Sequence, residues 1–141
     1  MNYLADVNVW VALAVIGHTH HNAARAWFET SSSSQVAFCR VTQQRFLRLL
    51  TNSRVMGENV LTARDAWQLY DELFADSRVS FWGEPAGLEP AWRIASGRLP
   101  PGTNSWTDAY LSAFANTTGC SLVTFDGELA QSHGIKALLL K

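Results

Sequence analysis

Apolar positions along the 141-residue chain fall into short runs that alternate with longer periodic segments. Tyr3-Leu4-Ala5 is a short apolar run ending at Asp6, and it reads as a buried strand. Residues 9–16 are apolar throughout and stop at Gly17, which predicts a helix with a glycine stop. Residues 22–29 place Ala23, Ala26 and Trp27 at helical spacing. The serine run at 31–34 is a connector, and residues 36–39 form a second short apolar strand. Thr42 is expected to cap a third helix that reaches about residue 52. Thr62-x-x-Asp65 has the form of a capping box ahead of an amphipathic helix carrying Ala66, Leu69, Tyr70 and Leu73. Residues 78–82 predict a third strand, and Pro90 and Gly97 frame a helix around Trp92 and Ala95.

Leu99-Pro100-Pro101-Gly102 breaks the chain. Ser105-x-x-Asp108 then opens the most regular helix. Trp106, Ala109, Tyr110, Ala113 and Phe114 follow the i, i+3, i+4, i+7, i+8 pattern, which predicts one apolar face. Gly119 ends it. Residues 121–125 are a fourth strand closed by Asp126-Gly127, and residues 137–140 a fifth. Strands that are short continuous apolar runs, alternating with helices, point to an α/β fold with a parallel sheet covered on both faces. No internal repeat is present, and one domain spanning 1–141 is expected.

Composition narrows the function. Eleven basic and twelve acidic residues give a net charge of −1, which excludes a polycation that holds nucleic acid by bulk charge. Six Trp and seven Phe promise a packed interior. Cys39 and Cys120 lie far apart beside apolar runs and read as reduced core residues of a cytoplasmic protein. The first residues lack a signal-peptide pattern, and no apolar run approaches the roughly 20 residues of a membrane helix.

Sites in open parallel sheets form at the carboxyl ends of strands. Asp6 ends the first strand and Asp126 the fourth, while Asp108 sits in the first turn of the helix leading into that fourth strand. Their convergence would make a cluster of carboxylates suited to Mg²⁺ or Mn²⁺, which take oxygen ligands and can activate water for phosphodiester hydrolysis. Each aspartate also has a plain structural reading. Asp6 fits a helix cap, Asp108 completes a capping box with Ser105, and Asp126-Gly127 fits a turn. These readings do not exclude metal binding.

Four ordered motifs then resemble one family. They are residues 4–10 (Leu4-Ala5-Asp6-Val7-Asn8-Val9-Trp10), residues 42–52 from Thr42 to Asn52, residues 106–111 around Trp106-Thr107-Asp108, and residues 122–126 ending at Asp126. The chain resembles the VapC toxins of bacterial toxin–antitoxin pairs, which are PIN-domain proteins. The resemblance implies a three-layer α/β/α sandwich around a mostly parallel sheet. It further implies a Mg²⁺- or Mn²⁺-dependent endoribonuclease, a homodimer, and inhibition by a VapB-like antitoxin. The family's acidic quartet maps to Asp6, Asp108 and Asp126 as metal-binding catalytic residues. At the fourth position, where the family usually has Glu, this chain has Gln43. Asn8 matches a polar neighbour of the first aspartate and is expected to support it.

Gln43 precedes Phe46, Leu47 and Leu50 at i+3, i+4 and i+7, so it points inward and needs partners for its amide. A place beside Asp6 would supply them, and a core amide satisfied by backbone is the plainer reading. Loss of one negative charge predicts a weaker metal site, with catalysis surviving on three carboxylates. Four of the nine arginines, Arg40, Arg45, Arg48 and Arg54, fall within fifteen residues. Arg40, Arg45 and Arg48 are candidates for holding RNA phosphates, against the plainer reading of a solvated helix face.

His18, His20 and His21 invite a zinc reading, but no cysteine is near them in sequence, and exposed imidazoles leading into a helix fit better. His133 beside Gly134 reads as a loop residue. Trp10, Trp27 and Phe28 suit an antitoxin groove and a core equally. An active RNase toxin is therefore the leading reading. A catalytically silent PIN-like module that only binds RNA or protein is its rival, favoured by Gln43. A DNA-directed nuclease shares the metal chemistry.

Overall fold

The computed structural model describes residues 1–131 and 134–141. His133 lies outside the described residues. Five strands form one sheet: β1 (Asn2–Ala5), β2 (Gln35–Phe38), β3 (Val79–Phe81), β4 (Ser121–Thr124) and β5 (Lys136–Leu139). Their order is β3-β2-β1-β4-β5, and every neighbouring pair is parallel. In register, Leu4 at the centre pairs with Ala37 on one side and Leu122 on the other. The helices are α1 (Val7–Ala14), α2 (His21–Thr30), α3 (Arg40–Leu50), α4 (Ser53–Met56), α5 (Ala63–Leu73), α6 (Leu88–Ser96), α7 (Trp106–Thr118) and α8 (Gly127–Ala130).

Alternation along the strands sorts the interior into two layers, because successive side chains point to opposite faces. Ala5, Val36, Phe38, Val79 and Val123 face one cluster with Trp10, Trp27, Phe46, Leu50 and Tyr70 from α1, α2, α3 and α5. Leu4, Cys39, Cys120 and Leu122 face the other, with Leu88, Leu111, Phe114 and Leu129 from α6, α7 and α8. This is the three-layer sandwich. Trp10 stacks on Phe38 at 3.9 Å between ring centroids, which fills the first layer at its centre. Both cysteines are free and buried.

The elements match the apolar pattern with three local differences. The apolar run at 9–16 outlasts its helix, since α1 stops at Ala14, Val15 is extended and Ile16 is exposed. Thr42 does not cap α3. Cys39 holds that position, and the Thr42 hydroxyl, three residues in, accepts the Cys39 N–H at 2.9 Å. Trp106 is 54% exposed despite fitting the helical period, because it begins α7 at the rim of the α6–α7 contact. The Thr62 hydroxyl does cap α5, accepting the Asp65 N–H at 3.1 Å. Gly119 closes α7 with φ +72°, a left-handed conformation that suits glycine. No helix among the described residues is long and apolar enough to cross a membrane.

Candidate active site at the carboxyl edge of the sheet

Chain order reverses direction between β1 and β4. From β1 the chain moves outward to β2 and β3, and from β4 it moves the other way to β5. Such a switch point opens a crevice at the carboxyl ends of the two strands. Asp6 follows β1 and its N–H donates to the Val123 carbonyl of β4 at 2.9 Å. Asp126 lies two residues past β4. The topology therefore sets these two carboxylates on either side of the crevice.

Asp6 is 5% exposed. Its Oδ1 accepts the Val7 N–H at 2.7 Å, which caps α1. Its Oδ2 accepts the Thr124 hydroxyl at 3.0 Å. The same Thr124 oxygen accepts the Asp126 N–H at 2.9 Å. One fully buried hydroxyl thus ties the first aspartate to the backbone of the last. Thr124 stood in the fourth motif without an assigned role. A hydroxyl two residues ahead of an aspartate, at a strand end, was the signal available for it.

Asp126 caps α8 rather than forming an isolated turn, with Oδ1 accepting the N–H groups of Glu128 at 2.9 Å and Leu129 at 3.4 Å. Asp108 is half-buried in the first turn of α7. The expected capping box is absent there, because the Ser105 hydroxyl accepts from Thr103 at 3.1 Å instead. Among the described residues the Asp108 carboxylate makes no hydrogen bond, so its oxygens stay free for a ligand.

Electrostatics unite the three. Burial raises the Asp6 pKa and Asp126 adds to the rise, while the bonds from Thr124 and Val7 and the charge of Arg45 pull it down. Burial also raises the Asp108 pKa, and Asp6, Asp126 and Glu128 raise it further against the pull of Arg45. A cluster of oxygen donors that repel one another fits a hard divalent cation and offers nothing to a soft one. Among the described residues no group of three or more His, Cys, Asp or Glu side chains is already placed to hold a metal ion. Mg²⁺ requires none, since it keeps several waters and takes only one or two carboxylates directly.

The remaining candidates separate. Gln43 is buried as its spacing requires, but its amide oxygen accepts from the Arg40 guanidinium at 2.5 Å and makes no hydrogen bond to Asp6. Neither a backbone partner nor Asp6 satisfies it; a side chain one turn away does. Arg40 also lies over the Phe81 ring at 4.7 Å. Arg45 is half-buried and acts on both Asp6 and Asp108, whereas Arg48 is exposed. Asn8 is exposed and makes no side-chain hydrogen bond among the described residues, so Thr124 gives Asp6 the support expected of Asn8.

Trp10, Trp27 and Phe28 belong to the core. The three histidines do not converge on an ion. His18 Nδ1 accepts the His20 N–H at 3.0 Å, His21 Nδ1 bonds the Ala12 carbonyl at 2.8 Å, and the exposed His20 ring stacks on Phe125. A groove of about 780 Å³ between α6 and α7 reaches Asp108, with Ile94, Arg98, Asn116 and Glu128 along it.

Fold and site together define the class, a three-layer parallel α/β protein with carboxylates at its switch point, and the PIN domain model matches residues 3–134. The chain belongs to the PIN-domain family and, within it, to the VapC proteins. It is 48% identical over 142 aligned positions to ribonuclease VapC41 of Mycobacterium tuberculosis, with 97% of each chain covered. It is 35% identical to ribonuclease VapC29 of the same organism, covering 99% of this chain and 97% of that one. In fold it is similar to the solved structure of VapBC2 from Rickettsia felis bound to a promoter DNA fragment, with a TM-score of 0.76, 12% identity and full coverage of both chains. It is also similar to Mycobacterium tuberculosis VapC20, described as a sarcin-ricin loop cleaving toxin. The TM-score there is 0.69, at 20% identity over 94% of this chain and 95% of that one.

Proposed function

We propose that this protein is a metal-dependent endoribonuclease and the toxin of a toxin–antitoxin pair. The observation that carries the reading is the cluster of Asp6, Asp108 and Asp126 at the switch point, where burial and the neighbouring carboxylates raise the pKa values of Asp6 and Asp108. The relatives named ribonuclease VapC support RNA as the substrate. Asp6, Asp108 and Asp126 would hold Mg²⁺ or Mn²⁺, which supplies a polarised phosphate and an activated water when bound.

The chain's own groups do the positioning. Val7 and Thr124 fix Asp6, and α8 fixes one oxygen of Asp126 while leaving the other free. Asp108 carries no competing hydrogen bond and can turn toward a ligand. Arg45 faces the same carboxylates and is the cation placed to meet a phosphate oxygen. The groove beside Asp108 gives a strand of RNA a path to the site. We further assign a cytoplasmic homodimer inhibited by a VapB-like antitoxin; the neighbouring VapBC structure supports the antitoxin partner.

Gln43 in place of the family's usual Glu favours a second reading, a silent module that binds RNA or protein without cutting. Incubation of structured RNA with the protein, with Mg²⁺ or Mn²⁺ and with EDTA, separates the two. Cleavage that disappears on chelation and in Asp6→Asn is expected. RNA bound but left intact favours the silent module, and cleavage of DNA alone redirects the substrate.

A further inference from the structure

The three histidines where the α1–α2 turn enters α2 are the motif that the acidic site leaves unused. The structure gives each ring a separate task. His18 N–H donates to the Val15 carbonyl at 3.0 Å, and its ring accepts the His20 N–H. His21 N–H returns to the His18 carbonyl at 3.0 Å, and the His21 ring is tied to Ala12 of α1. The turn is therefore built before any ligand arrives. On it the His20 imidazole lies parallel to the Phe125 ring, with centroids 4.5 Å apart and planes 19° from one another.

Phe125 is rooted in the first core layer and immediately precedes Asp126. The adjacent Cα atoms of such neighbours are about 3.8 Å apart. One face of the imidazole is covered by Phe125, and His20 as a whole is exposed. A fixed, flat, exposed ring beside a phosphodiester site has the form of a surface on which unpaired bases stack.

We propose that the His20–Phe125 pair is a stacking platform for one unpaired base of the RNA strand flanking the scissile phosphate, and that it positions the strand without taking part in the chemistry. The proposal rests on the ribonuclease reading, and binding and cleavage test the two separately. The platform needs a flat ring at position 20 and does not need its proton. Phe at that position should serve, and Ala should not.

The test is the affinity of a labelled single-stranded RNA for Asp108→Asn protein, compared with the same protein carrying His20→Ala or His20→Phe. Wild-type cleavage is followed alongside, with Asp6→Asn as the inactive control. His20→Ala is expected to weaken binding by about five- to tenfold, the lower range for loss of one stacked base. His20→Phe should stay within about twofold of the parent. Replacing the stacked base by an abasic nucleotide should weaken the parent and leave His20→Ala indifferent. The platform is overturned if His20→Ala binds as the parent does, or if His20→Phe binds as poorly as His20→Ala while both melt at the parent temperature. RNA that binds with this pattern but is never cut overturns the ribonuclease reading alone. RNA that is cut normally with no effect at position 20 overturns the platform alone.

Discussion

Thr124→Val removes one oxygen and almost no volume, and its cost follows from two hydrogen bonds. The hydroxyl donates to Asp6 Oδ2 at 3.0 Å and accepts the Asp126 N–H at 2.9 Å, in a fully buried position. Valine keeps the β-branch that suits a strand and fills the same space. It leaves a buried carboxylate short of a donor and a backbone N–H without an acceptor. Each loss costs about 1–3 kcal/mol, so the expected destabilisation is about 2–4 kcal/mol after the small gain from a more apolar side chain. For a chain of this size that is a fall in Tm of roughly 6–15 °C. Thr124→Ser keeps both bonds and gives up a buried methyl, at about 1 kcal/mol. Thermal melts of the metal-free proteins at neutral pH, followed by circular dichroism, measure all three. Valine should fall well below serine. The bridging role of the hydroxyl is refuted if Thr124→Val melts with the wild type, or if Thr124→Ser falls as far as Thr124→Val.

Four further outcomes are expected. Asp108→Asn should stabilise the metal-free protein at pH 7. The raised folded pKa means that the stability of the protonated form is present at low pH and lost as pH rises through that value. The gain should be small for a half-exposed group, visible in melts at pH 7 and absent near pH 3. His18 has a pKa lowered by burial and by His20 and His21, so the unfolded chain takes the proton first and stability should fall as pH drops below 6.5. Melts of His18→Asn across pH 8 to 5 should show a flatter profile than the wild type. Gln43→Glu should pair with Arg40 and leave Mn²⁺ affinity unchanged, and a clear rise on titration would put position 43 in the metal site. Arg45→Ala should weaken RNA binding and lower its salt slope by about one, with a smaller change in Arg48→Ala, as read from affinities between low and physiological salt.

Much of this molecule is legible in its sequence, for a physical reason. Strands buried on both faces become short apolar runs, and helices that cover them show the 3.6-residue period, so all five strands and the longer helices are marked. The aspartates at 6 and 126 stand out because a charge that ends an apolar run marks a strand's carboxyl end. What was not legible depended on partners distant in sequence. Trp106 satisfies the period of α7 and is still exposed, because periodicity cannot tell where a neighbouring helix ends. Ser105 and Asp108 have the spacing of a cap, but Thr103 competes for the serine. Gln43 points inward as its spacing demands, yet its partner is Arg40 and not Asp6. Thr124 reaches across 118 residues to Asp6, and no local pattern encodes such a bond.

Three aspartates from separate segments acting as one metal site is the centre of the proposed mechanism. Calorimetric titration of Mn²⁺ into the wild type and into Asp6→Asn, Asp108→Asn and Asp126→Asn tests it most directly. Each substitution should weaken the same binding event by about tenfold or more while the protein stays folded. A single one of the three that binds Mn²⁺ as tightly as the wild type would contradict the shared site.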